Sequence, residues 1–155
     1  MSRIHVPVTV RWSDLDAYGH VNNVQLLRLL EEARIRVFWA SSSPDAPSTA
    51  VVEAGPDAAT TTLIASQRID YLAPVPFHRE PLDVQLWIGS MGGASLDICY
   101  EIRSPAGEEP PSVYARAATT LVLIDTATQR PRRLTEAERA AWRPHLDDPV
   151  DFRRR

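Results

Sequence analysis

The chain contains one cysteine, Cys99, in 155 residues. A single cysteine cannot form an internal disulfide bond, and it makes a cysteine-based zinc site implausible. The histidines are scattered, without the spacing typical of metal ligands. They are His5, His20, His78 and His145. These shortages exclude a disulfide framework, and we expect no metal site.

The sequence also has little net charge and no long apolar segment. Seventeen basic residues against 20 acidic ones give a net charge of −3 at pH 7, which argues against a nucleic-acid-binding protein with a broad basic face. No apolar run approaches the roughly 20 residues of a membrane-spanning helix, and the N-terminus lacks the apolar core of a signal peptide. We therefore expect no nucleic-acid partner, no membrane insertion and a cytoplasmic location.

The composition is that of an ordinary globular protein, with 44% hydrophobic and 24% charged residues. This length predicts a single domain over residues 1–155. Proline, alanine, serine and threonine dominate residues 44–60, which predicts a long variable loop. The C-terminal segment 146–155, which ends in three arginines, is expected to be frayed.

The first half of the chain changes from an alternating to a helical pattern. Residues 4–12 alternate apolar and polar side chains, which predicts a half-buried strand. Because proline cannot donate to the ladder, this strand either lies at a sheet edge or offers Pro7 on an unpaired side. From 24 to 40 apolar residues recur at spacings of three and four. This predicts a helix with a wide apolar face, suited to a wrapping sheet, and either Asn22 or Asn23 can cap it.

The second half consists mainly of strand patterns and short turns. The predicted strands are 63–71, 82–88, 96–103 and 113–124. A capping-box pattern at residues 135–138 then predicts a short helix to about Trp142. This order predicts an α+β domain in which one helix packs on a curved antiparallel sheet.

Residues 11–23 concentrate two carboxylates, an imidazole, two amides and a glycine just before the predicted helix. A helix N-terminus presents unpaired N–H groups and a partial positive charge, which can stabilise a carbonyl oxygen as it becomes an oxyanion. A neighbouring carboxylate can act as a general base or as a nucleophile. Together these groups suit the hydrolysis of an activated acyl group.

Plainer interpretations of the same residues remain open at this point. Asp14 and Asp16 can satisfy N–H groups of the turn, and a lone His20 is more often structural than catalytic. The two asparagines are explained by capping. The charged residues of the helix are typical of a solvated or interfacial face; they are Glu31, Glu32, Arg34 and Arg36.

Residues 11–34, RWSDLDAYGHVNNVQLLRLLEEAR, resemble the signature of hotdog-fold acyl-CoA thioesterases of the 4-hydroxybenzoyl-CoA thioesterase type. The family pattern has two aspartates separated by one residue, then Gly-His-Val-Asn-Asn, then a helix bearing Glu-Glu-Ala-Arg. Residues 62–125 resemble the family's sheet more loosely. The resemblance implies a long central helix wrapped by a curved antiparallel sheet. It also implies active sites at the interface of a homodimer, alone or within a dimer of dimers.

The resemblance implies a role for each position of the motif. Asp16 matches the catalytic carboxylate, and the backbone N–H of Asn23 matches the group that polarises the thioester carbonyl. The other matched positions are implied to bind substrate or to order the turn: Gly19, His20, Val21 and Asn22. The resemblance also implies an acyl-CoA substrate, of which CoA is a part, and no requirement for a cofactor.

Two other functions fit a similar site. A hotdog-fold enoyl-thioester hydratase or dehydratase would pair an acidic residue with His20 for proton transfer. A non-catalytic protein would bind acyl-CoA without turnover. The sequence departs from many relatives at Leu26, where they carry an aromatic residue. It also departs at residues 78–81, where His78 and Arg79 either meet a CoA phosphate or form an exposed turn.

Overall fold

A computed structural model describes residues 3–154. In chain order the elements are β1 (Ile4–Val8), α1 (Asn23–Phe38), β2 (Thr60–Tyr71), β3 (Leu82–Met91), β4 (Ser95–Arg103), β5 (Val113–Asp125), β6 (Arg130–Pro131) and α2 (Glu136–Trp142). Two single-turn 3₁₀ helices, Trp12–Asp14 and Arg143–His145, precede α1 and follow α2.

The strands form one antiparallel sheet in the order β1-β3-β4-β5-β2, with the short β6 paired to β5. Over the described residues 3–154, β1 pairs only with β3, so the edge position, one of the two alternatives for the strand of Pro7, is confirmed. The long strand β2 lies at the opposite edge. The predicted α+β architecture is confirmed as a curved antiparallel sheet with two helices, an arrangement consistent with a hotdog fold.

The first helix packs one apolar face against the sheet, and its closest approaches are to β1 and β3. The buried apolar positions on this face are Leu26, Leu29, Leu30, Ala33, Val37 and Phe38. The helix has 16 residues and ends at Phe38, two residues before the predicted end. The difference arises because Trp39 is extended and forms a β-bridge with Val52, where the Ala40 N–H donates to the Val52 carbonyl at 2.7 Å.

The predicted loop at 44–60 is held in place at its middle. Thr49 is buried, and its hydroxyl donates to the Val37 carbonyl at 2.7 Å. The Trp142 indole N–H in turn donates to the Thr49 carbonyl at 2.9 Å. The second helix therefore locks this loop against the C-terminal end of α1, and α2 itself begins with the predicted capping box.

The C-terminal segment differs from the frayed tail predicted for residues 146–155. The Trp87 indole N–H donates to the Asp148 carbonyl at 2.8 Å, and the Arg153 N–H donates to the Asp70 carboxylate at 3.0 Å. Trp87 and Asp70 are buried, and buried polar groups require partners. The tail supplies those partners, which explains why it lies across the sheet; the last residue is outside the described part of the chain.

Candidate active site

Asp14 is a structural residue of the loop that leads into α1. It is 1% exposed, and one carboxylate oxygen accepts the Arg11 backbone N–H at 2.8 Å while the other accepts the Arg11 guanidinium at 3.0 Å. The hydrogen bond and the charge of Asp14 raise the pKa of Arg11. Both oxygens of Asp14 are therefore used within the loop, as the plainer interpretation of this residue holds.

Asp16 is half-buried and divides its two oxygens between different surroundings. Oδ1 accepts the Tyr18 N–H at 2.8 Å and the His20 N–H at a longer 3.4 Å. Oδ2 accepts no hydrogen bond from any residue between 3 and 154. Asp16 therefore braces its own turn with one oxygen and keeps the other available to a substrate or to water.

Gly19 gives this turn its shape. Its φ of +77° lies in the left-handed region that glycine adopts at little cost, and a Cβ built there meets nothing within 4 Å. The backbone conformation, and not a lack of space, therefore explains glycine here. The reversal lets the Asp16 N–H donate to the His20 carbonyl at 2.8 Å.

The residues after the turn anchor it to the rest of the domain. Val21 is buried, and its N–H donates to the Val75 carbonyl at 2.8 Å. His20 forms a β-bridge with Pro76. These contacts position the loop, and the substrate-binding roles of Gly19, His20, Val21 and Asn22 stay predictions.

The start of α1 lies directly beyond this loop. Asn22 caps the helix, since its side-chain oxygen accepts the Val24 N–H at 2.9 Å. The N–H of Asn23, the first helical residue, has no acceptor among residues 3–154. Such orphan donors carry the positive end of the helix dipole, so the loop brings a free carboxylate oxygen and a free helix N–H into one short segment.

Exposed apolar side chains border the loop, and we call them the apolar rim: Trp12, Tyr18, Val24, Tyr71 and Phe77. The rings of Trp12 and Phe77 pack edge-to-face with centroids 5.3 Å apart. The Tyr71 hydroxyl donates to the Asn23 carbonyl at 3.4 Å. Contiguous exposed apolar surface is typical of an interaction site. The sequence did not single out this rim, because Tyr71 and Phe77 come close to the loop only through folding.

Outside this loop, the remaining features to consider are His78, possible metal ligands and possible membrane-spanning helices. His78, for which a CoA phosphate contact and an exposed turn were both open, is half-buried and hydrogen-bonds with the Tyr114 hydroxyl at 2.9 Å. No group of three or more metal-ligating side chains occurs within residues 3–154. Over the same residues, no helix is long and apolar enough to cross a membrane.

Comparison with known proteins assigns the family. The family model of the thioesterase-like superfamily matches residues 10–149, which is most of the chain. The chain belongs to the thioesterase-like superfamily. Over 101 residues, or 65% of its length, it is 32% identical to the uncharacterized protein YsmA of Bacillus subtilis (strain 168), and that match spans 61% of YsmA.

Solved structures agree with this assignment to the thioesterase-like superfamily. The chain is similar to a thioesterase from Thermus thermophilus in complex with coenzyme A and Zn, with 28% identity, a TM-score of 0.67, and coverage of 90% of this chain and 92% of that one. A predicted thioesterase from Bacillus stearothermophilus shares the fold, with 22% identity, a TM-score of 0.73, and coverage of 96% and 100%. So does the 1,4-dihydroxy-2-naphthoyl-CoA thioesterase of Synechocystis, with 22% identity, a TM-score of 0.71, and coverage of 90% and 95%. The family and the Thermus thermophilus neighbour support thioester hydrolysis as the general chemistry, and the two neighbours at 22% identity support the fold.

Proposed function

We propose that this protein is an acyl-CoA thioesterase in which Asp16 is the catalytic carboxylate and the Asn23 backbone N–H binds the thioester oxygen. One observation carries the proposal. Within the described residues 3–154, the turn that holds Asp16 Oδ1 leaves Oδ2 without a hydrogen-bond partner, and the same loop ends at a helix N–H that also lacks one. Membership of the thioesterase-like superfamily supports thioester hydrolysis as the reaction.

The chemistry follows from these two groups by either of two routes. Asp16 takes a proton from water while the water oxygen attacks the thioester carbon, or its oxygen attacks that carbon directly and forms an anhydride that water then opens. In both routes the C–S bond breaks, and CoA leaves as a thiolate that is then protonated. The Asn23 N–H stabilises the oxyanion between these steps, and one such donor typically contributes a factor of about 10²–10³ in rate.

CoA is the thiol we propose, since the neighbour from Thermus thermophilus is complexed with coenzyme A. The reaction needs no metal or redox cofactor, because the carboxylate activates water and the helix N–H polarises the carbonyl. His20, Gly19, Val21 and Asn22 order the turn or contact this substrate. A cytoplasmic location remains a prediction of the sequence.

We further propose the hotdog arrangement, with α1 as the central helix of each subunit of a homodimer. The outer edge of the 12-residue strand β2 supports this: it has no neighbouring strand among residues 3–154, and such an edge tends to be covered by another strand. Leu63, on β2, is 56% exposed, and Tyr71, at the end of the same strand, is also exposed. Size-exclusion chromatography with light scattering tests the assembly: a dimer, alone or within a dimer of dimers, supports it, and a fully active monomer contradicts it.

A panel of CoA thioesters with short, long and aromatic acyl groups tests the reaction. Release of CoA, followed with a thiol reagent, is the expected result. Loss of the conjugated absorbance of an enoyl-CoA without release of thiol would instead identify a hydratase. If a thioester co-purifies with the protein and none is hydrolysed, the protein is an acyl-CoA-binding protein and the proposal is wrong.

A further inference from the structure

A cavity of about 270 Å³ lies between α1 and β2, on the side of the helix opposite β1. Most of its walls are apolar, and they include Phe38, Val52, Ile64 and Leu121. Arg34 also lines it. Arginine is almost never buried without partners, so its presence in an apolar cavity calls for a physical explanation.

Arg34 is 9% exposed, and its known partners use only part of its hydrogen-bonding capacity. Nη1 donates to the Tyr100 hydroxyl at 3.1 Å. Nη2 lies 3.8 Å from the Glu31 carboxylate, which is beyond hydrogen-bonding distance. A guanidinium has five N–H donors in a fixed plane. Arg34 therefore retains donors that can reach an oxygen atom placed in the cavity.

Tyr100, the hydrogen-bond partner of Arg34, lies in the interior of the domain. Its side chain is fully buried, and burial is the main reason why the pKa of its hydroxyl is raised. The hydroxyl therefore stays protonated while it accepts from Arg34. Thr119 donates to Gln67 of β2 at 3.3 Å. A row of polar side chains thus runs from the helix, through buried Tyr100 and Thr119, to exposed Gln67 on the edge strand.

This row lies in line with the proposed reaction site. Arg34 follows Asn23 by 11 residues on the same helix, which places it about 16 Å further along the axis and on nearly the same face. β2 runs alongside in the opposite direction, since Tyr71 contacts Asn23 while Ile64 lines the cavity. An acyl group whose carbonyl lies at the helix start can therefore extend between α1 and β2 towards Arg34.

We propose that this cavity receives the distal part of the acyl group, and that Arg34 selects acyl groups bearing a neutral oxygen substituent over plain hydrocarbon chains. The selection rests on the proposed thioesterase function, because it concerns the substrate of that reaction. Glu31 already lies beside Arg34 and balances its charge, so a hydroxyl or oxo group fits better than a second carboxylate. An unsubstituted chain leaves the Arg34 donors without a partner, which is the costly outcome for a buried polar group.

Matched substrates test this selection. For decanoyl-CoA, its ω-hydroxy derivative and its ω-carboxy derivative, with chains one and two carbons shorter as a length series, we expect the hydroxy compound to have the highest kcat/KM. The preference over the plain chain at the best length is expected to be about tenfold or more, since sites built to hydrogen-bond a hydroxyl discriminate strongly against its absence. Equal kcat/KM for the hydroxy and plain compounds at every length, or a preference for the carboxylate, contradicts the proposal.

Variants assign the preference to Arg34. Arg34→Met keeps a long apolar stem without N–H donors and is expected to abolish the hydroxyl preference, whereas Arg34→Lys is expected to restore part of it. Arg28→Met, on an exposed position of the same helix that lines a different cleft, is the matched control and should leave the preference unchanged. A hydroxyl preference that survives in a folded Arg34→Met variant contradicts the assignment.

Binding of the product acids separates this inference from the proposed function. Calorimetry with the parent protein should show tighter binding of ω-hydroxydecanoate than of decanoate, even if no thioester turns over. If no thioester is hydrolysed but ω-hydroxydecanoate still binds more tightly than decanoate, the proposed thioesterase function is wrong and the role of Arg34 stands. If thioesters are hydrolysed but the hydroxy and plain compounds do not differ, the proposed selection by Arg34 is wrong and the thioesterase function stands. If Arg34→Met does not fold, Tyr100→Phe is the alternative variant, because it removes the acceptor that orients Arg34. It should reduce the ratio of the binding constants of ω-hydroxydecanoate and decanoate. An unchanged ratio contradicts the role of Arg34 and Tyr100.

Discussion

The side-chain oxygen of Asn22 accepts the Val24 backbone N–H at 2.9 Å, while the intervening Asn23 N–H has no acceptor among residues 3–154. One side chain thereby satisfies the second donor of α1 and leaves the first one for a ligand. The Asn22 N–H also donates to the Asp14 carbonyl at 2.8 Å, so the cap ties the helix start to the loop that carries Asp16.

Replacing the cap tests this division of donors. Asn22→Ala is expected to lower the free energy of unfolding by about 0.5–2 kcal/mol, because the Val24 N–H loses its acceptor. Asn22→Ser, which keeps a capping oxygen, should retain most of that stability. Chemical denaturation measures both, and equal stability of the alanine variant and the parent would contradict the capping role.

Replacing Asp14 should lower stability, whereas replacing Asp16 should lower activity. Asp14→Asn is expected to lower the free energy of unfolding by about 1–3 kcal/mol, because Asp14 is buried and both oxygens accept hydrogen bonds from Arg11. Asp57→Asn, in the exposed loop before β2, is the control and should change stability little. The account of Asp14 is wrong if these two variants unfold at the same denaturant concentration.

The pH dependence of stability should contain a contribution from Glu138. Burial alone would raise the pKa of this carboxyl, but two hydrogen bonds from the Arg132 guanidinium, both 2.8 Å, and one from the Thr135 N–H hold it below its usual value. A lowered carboxyl pKa adds stability that is fully present above the ordinary carboxyl pKa and is lost as the pH falls through the lowered value.

Glu138→Gln should therefore destabilise the protein by about 1–3 kcal/mol at neutral pH and by progressively less in acid. Glu136→Gln, an exposed residue of the same helical turn, is the control. Unfolding curves from neutral to acidic pH measure the difference. A Glu138→Gln penalty that stays constant down to the lowest pH would contradict the assigned cause.

Cys99 should react slowly with disulfide reagents in the native protein. Burial is the main reason why the pKa of its thiol is raised, and the thiolate is the reactive form. The tail lies close to this thiol, since a Cβ built at Gly89 would meet both the Cys99 sulfur, at 2.9 Å, and the Pro149 backbone, at 3.4 Å. Removing residues 147–155 should accelerate the reaction, and an unchanged rate in a folded truncated protein would show that the tail does not protect the thiol.

The sequence predicted features that depend on neighbouring residues well. The cap at Asn22, the capping box that begins with Thr135 and the edge position of β1 are confirmed, because each follows from a short motif or from the missing N–H of Pro7. It located the start of β2 three residues too late, since three consecutive threonines at 60–62 resemble the preceding loop.

Features that depend on distant residues were missed. Arg34 was interpreted as part of a solvated or interfacial face, yet it is buried, because its partner Tyr100 lies 66 positions away on β4. The tail was expected to fray, because nothing in its own sequence reveals that Trp87 and Asp70 need its backbone groups. In the candidate site, Asp16 had two interpretations, as an acceptor for N–H groups of the turn or as a catalytic carboxylate. Only the folded structure shows that the turn uses a single oxygen of Asp16.

The most direct test of the central claim compares Asp16→Asn with the parent protein on the CoA thioester that the parent hydrolyses best. The amide keeps an oxygen that can accept the Tyr18 N–H, so the melting temperature should change little. It cannot take a proton from water or form an anhydride, so kcat should fall by at least about 10². A folded Asp16→Asn variant that retains the parent's kcat would contradict the account.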